Sequence, residues 1–358
     1  MSKSHYIIPI FVPHEGCPHN CVFCNQSSIT GEENIVDADY TRETIEKYLK
    51  TIKNKNSIIE VSFYGGTFTA INIKKQKELL SVAKEYKDKN LIKFIHLSTR
   101  PDYINDSILQ NLKDYSVDII ELGIQSLDED VLLKSYRGHS AEDVETASVL
   151  IKKYGFTLGH QIMLGLPADT VSKDIKTTLD IIRIKPDICR IYPALVIKNT
   201  EMENLYNKGT YKPYTLEEAV NVSKIIYGML TANGINVIRI GLQPTEDINI
   251  GKDIISGPFH PAFRELVEGS LFCDLIIDSI NSWDNSEITI HINDKDISKL
   301  YTNKKEYFNK MKTKINSENT KVIYDNSLNR GDLLIETSSG IKKISIFDYI
   351  ARKYYNIN

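Results

Sequence analysis

The chain has 358 residues, 41% hydrophobic and 25% charged, which is the balance of a globular protein with room for one large α/β domain and a smaller one. Its 44 basic and 47 acidic residues leave a net charge of −3, which rules out an overall electrostatic bias toward nucleic acid but not a local basic patch. No apolar run nears the roughly 20 residues that span a bilayer, the N-terminus lacks a signal-peptide pattern, and five cysteines are an odd number for a disulfide framework, so a cytoplasmic location with no membrane partner is expected.

Short β-branched runs alternate with amphipathic stretches. Strands are predicted at residues 6–11, 58–63, 92–98, 119–122, 156–163, 188–195 and 237–241. Helices are predicted at 41–51, 74–86, 105–112, 141–153, 173–183 and 216–232. Ser140 is placed to cap a helix that Gly155 ends. Thr215 and Glu218 form a capping box, with Gly234 at the C-terminal cap. Strand–helix alternation at about 30 residues per unit implies parallel strands joined by helical crossovers. Six or seven such units fit a partial or full (β/α) TIM-like barrel. The alternative, an open doubly wound sheet, would favour a GxGxxG after the first strand, and none is present.

After residue 241 the texture changes. Residues 244–261 hold three Pro and two Gly, and a helix is predicted at 261–279. Residues 284–358 are rich in Asn, Lys, Ile and Tyr and read as a small α+β appendage, with a helix near 304–315 and strands near 321–324, 333–336 and 342–346. The expected division is a barrel over 1–245, a connecting loop and helix over 246–283, and the C-terminal α+β domain over 284–358. Residues 288–311 have the strand–loop–helix outline of a KH RNA-binding module, with Lys304, Lys305, Lys310 and Lys312 on the helical stretch. The GxxG of that module is missing, since 301–304 read YTNK, and a solvated lysine face is the plain alternative.

Residues 16–26, GCPHNCVFCNQ, place Cys17, Cys21 and Cys24 as CxxxCxxC on the loop after the first strand. In a barrel that loop opens at the C-terminal face, where active sites are built. Clustered soft thiolates select zinc or an iron–sulfur cluster. His14 or His19 would complete a Cys3His zinc site. A 4Fe–4S cluster on three cysteines instead leaves one iron open to a cofactor, which makes the missing fourth cysteine a requirement. Phe23, before the third cysteine, is placed to pack against a flat base such as adenine. Cys189 and Cys273 have no partner spacing and read as small core residues.

The CxxxCxΦC pattern resembles the signature of the radical S-adenosylmethionine (SAM) enzymes. YGGTFT (64–69), STRPDY (98–103), ELGIQS (121–126), YRGH (136–139), the stretch 192–215 and FRELVEG (263–269) resemble the radical SAM core of the Elongator catalytic subunit family over about 265 residues. The resemblance implies a radical SAM barrel and an enzyme with a 4Fe–4S cluster on Cys17, Cys21 and Cys24 that cleaves SAM reductively to a 5′-deoxyadenosyl radical. It further implies an electron donor such as flavodoxin or ferredoxin. For SAM itself it implies Gly65, Gly66 and Thr67 at the amino group, Gln125 at the ribose and Arg137 at the carboxylate, as in the related coproporphyrinogen oxidases. Ser98 stands where relatives place another polar contact, and Gln161 where they carry Asp or His. Elongator subunits modify the wobble uridine of tRNA with acetyl-CoA. Here the first cysteine interval is shorter, the residues after the core are too few for an acetyltransferase domain, and they hold no Gly-rich pyrophosphate loop. The radical SAM core is therefore expected without acetyl-CoA chemistry, with tRNA as the candidate substrate partner. Two alternatives stay open: a radical SAM enzyme for a small metabolite or porphyrin-like substrate, and a non-catalytic iron–sulfur or zinc protein.

Overall fold

The computed structural model describes residues 5–12, 17, 19–25, 36–54, 56–242, 252–280, 287–317 and 319–355. By contacts the chain forms two compact units, Met1–Pro213 with Gln243–Gly257, and Tyr214–Leu242 with Pro258–Asn358. The expected division at 245 and 283 follows sequence texture and not this grouping. The helix Leu216–Ala232 lies within the expected barrel segment, yet it packs against the helices Phe263–Ile280 and Ile346–Tyr354.

The first unit runs β1 (His5–Val12), α1 (Ala38–Thr51), β2 (Ile58–Gly65), α2 (Ile73–Asp88), β3 (Phe94–Thr99), α3 (Asp106–Asp114), β4 (Ile119–Gln125), α4 (Glu129–Lys134), α5 (Ala141–Lys153), β5 (Thr157–Leu164), α6 (Val171–Ile184), β6 (Ile188–Pro193), β7 (Val196–Ile197), α7 (Glu201–Asn207) and β9 (Ile254–Ser256). Strands β1 to β6 lie side by side in chain order, all parallel, while β7 and β9 make a small antiparallel pair. Among the described residues β1 pairs only with β2, so the strands do not close and the barrel is the partial one.

Helix starts follow the predicted caps. Ser140 with Asp143 forms a capping box on α5, and Gly155 takes the left-handed φ of +85° just beyond its end. Asn105 precedes α3 as its cap instead of opening the helix, accepting a bond from the Ile108 amide. The short helices α4 and α7 escaped prediction because six or seven residues give no clear period. Along the strands the two faces differ. Ile8, Ile10, Val61, Phe63, Ile95, Leu97, Ile120, Leu122, Cys189 and Ile191 are fully buried on one face. On the same face of β5, His160 bonds Ser148 of α5 at 3.0 Å, which fixes it as the helix-covered side. The alternate positions carry Glu60, Tyr64, His96, Glu121, Gln161, Arg190 and Tyr192. A parallel sheet packed on both faces would read as continuous aliphatic runs. This one has a polar interior face.

The second unit contains α8 (Leu216–Ala232), β8 (Asn236–Ile240), α9 (Phe263–Ile280), β10 (Glu287–Ile292), α10 (Ile297–Leu300), α11 (Glu306–Lys314), β11 (Asn319–Tyr324), β12 (Asp332–Thr337), β13 (Gly340–Ser345) and α12 (Ile346–Tyr354). The predicted Thr215–Glu218 capping box starts α8. A four-stranded sheet in the order β11–β10–β12–β13 makes this the expected α+β piece. The segment read as a strand to 346 ends at Ser345, whose side chain caps α12. Where the KH outline wanted GxxG, Asn303, Lys304 and Lys305 all hold left-handed φ values of 50–67° without a glycine. Among the described residues no helix is long and apolar enough to cross a membrane.

Candidate active site

The cysteine loop is anchored by its least polar member. Val22 is fully buried with Val131, Leu166, Ala194, Val196, Met202 and Tyr211, and Phe23 packs on the same group. Its amide donates to the Ser135 carbonyl at 3.2 Å, and its own carbonyl accepts from the Met202 amide at 2.8 Å. These bonds hold Cys21 and Cys24 on a turn closed by the Cys24 amide and the Cys21 carbonyl at 3.0 Å. Cys21 is buried; Cys17 and Cys24 are half-buried.

Arg137 reaches this turn from the segment after α4. Its Nη1 donates to Cys21 Sγ at 3.2 Å, Nη2 to the Gly123 carbonyl, and Nε to His139 at 3.3 Å, while the guanidinium carbon lies 6.0 Å from the Phe23 ring centre. The Arg137 carbonyl in turn accepts from Arg100, which is clamped to Asp102 at 2.9 Å. Burial first, and then the charge of Arg137, lowers the His139 pKa to about 4, so the ring stays neutral beside the guanidinium. A Cβ added at Gly123 would stand 3.1 Å from the Gln125 amide and 3.6 Å from Arg137, so both side chains converge above a glycine that leaves them room. Gln125 has φ +63°, a conformation uncommon for a residue with a side chain, at a register shift that ends β4.

Gly65 and Gly66 end β2 beside the end of β1. The Gly66 amide donates to the Val12 carbonyl at 3.0 Å, and Gly65, at φ +108°, sits so close to that carbonyl that a side chain would collide with it. Thr67 is buried immediately after them. Gln161 lies within β5, which runs to Leu164, one residue beyond the predicted end. Its amide nitrogen donates to Ser98 at 3.2 Å and to Glu121. The structure thus joins Cys21 and Phe23 to Arg137, brings Arg137 and Gln125 together over Gly123, and separately joins Ser98 to Gln161.

Sequence reasoning missed the layer beneath. His96 Nδ1 lies 2.7 Å from Glu60 and Nε2 3.3 Å from Glu121, while Arg190 Nε is 2.9 Å from Glu121. The last two contacts are close enough for ion pairing but too poorly aligned to count as hydrogen bonds. Burial would raise the Glu60 carboxyl, but His96, then Ser62, hold it at about 2. Burial opposes and the two glutamates outweigh it in raising the His96 pKa. Burial likewise opposes the lowering of Glu121, which the Arg190 charge wins. The available signal was polar residues at alternate positions, HLS, ELG and RIY, within predicted buried strands.

His19 packs its ring on Gly138 and lies 3.8 Å from Asp102. His14 lies outside the described residues. Among the described residues no three His, Cys, Asp or Glu side chains converge as a metal site, so the three thiols share a loop without meeting at one point. Their chemistry is nonetheless an all-thiol donor set with no carboxylate, which fits an iron–sulfur cluster. Cys189 and Cys273 are buried core thiols whose pKa burial raises, that of Cys273 to about 12.

The Radical SAM superfamily model matches residues 11–181 and the Radical_SAM C-terminal domain model matches residues 186–272. The chain belongs to the radical SAM superfamily. This radical SAM chain is 29% identical over 256 residues to a tRNA uridine(34) acetyltransferase of Methanocaldococcus infernus, covering 60% of the chain and 48% of the relative. It is 29% identical over 255 residues to human Elongator complex protein 3, covering 59% and 46%. It spans about half the length of these curated relatives. A solved structure of the archaeal Methanocaldococcus infernus Elp3, with an N-terminus deletion, superposes with a TM-score of 0.59 at 25% identity, covering 74% of this chain and 62% of that one. Radical SAM membership makes the chain an enzyme and implies a 4Fe–4S cluster and SAM as its cofactors.

Proposed function

We propose that this radical SAM enzyme cleaves SAM reductively to modify a tRNA base in a reducing compartment such as the cytoplasm. The observation that carries the reading is Arg137, which contacts Cys21 and Phe23 on one side and meets Gln125 over Gly123 on the other. Cys17, Cys21 and Cys24 would hold the cluster. When bound, it supplies the one electron, delivered by a flavodoxin or ferredoxin, that splits SAM into methionine and a 5′-deoxyadenosyl radical. The chain's own residues bind and orient. Carbonyls at Gly65–Gly66, with Thr67 beside them, receive the SAM ammonium, and a glycine pair lets the cofactor approach the backbone. The planar fork of Arg137 matches the SAM carboxylate. Gln125, Ser98 and Gln161 offer amide and hydroxyl groups to the ribose, and Phe23 walls the adenine.

Relatives named as tRNA uridine(34) acetyltransferases support tRNA as the substrate. The acetyl transfer in those names is not carried over, because the chain covers under half of their length in two of the three. In the decisive experiment the protein is reconstituted anaerobically with iron and sulfide, reduced, and assayed for 5′-deoxyadenosine. The parental chain releases it and Cys21→Ala does not. Equal release by the variant sinks the assignment, as does a colourless protein holding one zinc. Filter binding of tRNA across a salt series tests the substrate, and absence of binding at the lowest salt removes tRNA.

A further inference from the structure

The polar interior face of the first unit holds one cation with donors left over. A guanidinium carries five N–H groups. In Arg190, Nε faces Glu121 at 2.9 Å, Nη1 donates to the Tyr192 hydroxyl at 3.4 Å, and Nη2 to the Tyr64 hydroxyl at 2.8 Å. The two hydroxyls take two hydrogens and Nε lies against Glu121, so one hydrogen on each of Nη1 and Nη2 has no further partner among the described residues. Cys189 and Ile191 point to the helix-covered side, so Arg190 and Tyr192 share the interior face.

We infer that Arg190 is the recognition residue for a neutral nucleobase, seated among the half-buried rings of Phe11, Tyr64 and Tyr192. The inference deepens the tRNA reading above and rests on it. Three observations carry it. The rim is aromatic: Phe11 and Tyr64 lie 6.2 Å apart, and the Arg190 guanidinium carbon is 5.2 Å from the Tyr64 ring centre. Flat bases stack on such rings and on arginine planes. The site is not a bare cation, since the carboxylates of Glu60 and Glu121 stand in contact with His96 and Arg190. A phosphate or the carboxylates of a porphyrin-like substrate would meet two buried carboxylates here, whereas a neutral base is repelled by neither. The spare donors sit on one rigid fork and can donate to a uracil carbonyl, whose oxygen accepts two bonds. Glu121 is then a positioning residue, because its carboxylate fixes the fork from behind.

The test uses the full-length, anaerobically reconstituted protein with SAM present. Its probes are two anticodon stem-loop RNAs, one with uracil at the first anticodon position and one abasic there. Parental protein is expected to prefer the uracil RNA by about 5- to 150-fold, the range for stacking one base. Arg190→Lys keeps a cation beside Glu121 but loses the fork, and is expected to lose most of that preference while keeping its affinity for the abasic RNA. Phe11→Leu, which leaves the ion pair untouched, guards against misfolding of the first variant and is expected to weaken the preference too. A parental protein that binds both RNAs equally overturns the base seat and leaves the tRNA reading standing. So does an Arg190→Lys variant that keeps the preference, or one that weakens both RNAs alike. No binding of either RNA at low salt overturns both readings.

Discussion

Replacing Glu121 by Gln tests whether the interior layer is ionised. Glu121 has no solvent exposure, with Arg190 Nε at 2.9 Å and His96 Nε2 at 3.3 Å. Removing one partner of a buried pair leaves the other charge uncompensated, at a cost of about 3–5 kcal/mol. Against the roughly 5–15 kcal/mol that holds a typical domain folded, this is a large fraction. The size of the penalty depends on what faces the vacated carboxylate. Gln161 also donates to Glu121, and an amide at 121 keeps only one acceptor oxygen for Gln161 and the side chains of Arg190 and His96. The double variant Glu121→Gln with Arg190→Met removes both charges, and is expected to recover at least half of the single-variant loss. Urea denaturation followed by circular dichroism, under identical conditions for the parental protein, Glu121→Gln, Arg190→Met and the double variant, reads these differences as midpoint shifts. A Glu121→Gln midpoint within about 1 kcal/mol of parental, or a double variant no better than the single one, refutes the argument that Glu121 and Arg190 face each other as ions.

Val22→Ala removes buried methyl groups from the anchor of the cysteine loop, at a cost of roughly 1–2 kcal/mol. It is expected to lower iron content after reconstitution although no thiol is touched; unchanged iron content with a destabilised protein counts against the anchoring role. The pH dependence separates the histidines by sign. Burial lowers the folded pKa of His160 to about 3, and burial with Arg137 lowers that of His139 to about 4. Their stabilising contribution is therefore present above the ordinary value near 6.5 and lost as pH falls below it, and His160→Gln flattens that acid limb. His96 is shifted the other way by Glu121 and Glu60, so its contribution is present below about 6.5 and lost as pH rises through its elevated folded value. An acid limb unchanged in His160→Gln removes His160 from this account.

Much of the architecture was legible because it rests on local rules. Hydrophobic period, caps at Ser140 and Thr215 and glycine at 155 act within a few residues, so they are written in neighbouring positions. The thiol spacing of Cys17, Cys21 and Cys24 is likewise a local pattern, and it pointed to the right family. The strand that carries Gln161 was predicted over 156–163 and runs over Thr157–Leu164, a difference of one residue at each end.

Partners brought from distant strands were decided only by the fold. Arg137 reaches Cys21 across 116 positions, and Gln161 reaches Glu121 across 40. The ion layer of Glu60, His96, Glu121 and Arg190 draws one residue from each of four strands. Period-2 alternation marks these positions as sharing a face, but only parallel registration of β2, β3, β4 and β6 with their neighbours brings their charges within contact. A sequence determines which side of each strand a residue takes; which charge it meets there is set by how the strands are stacked.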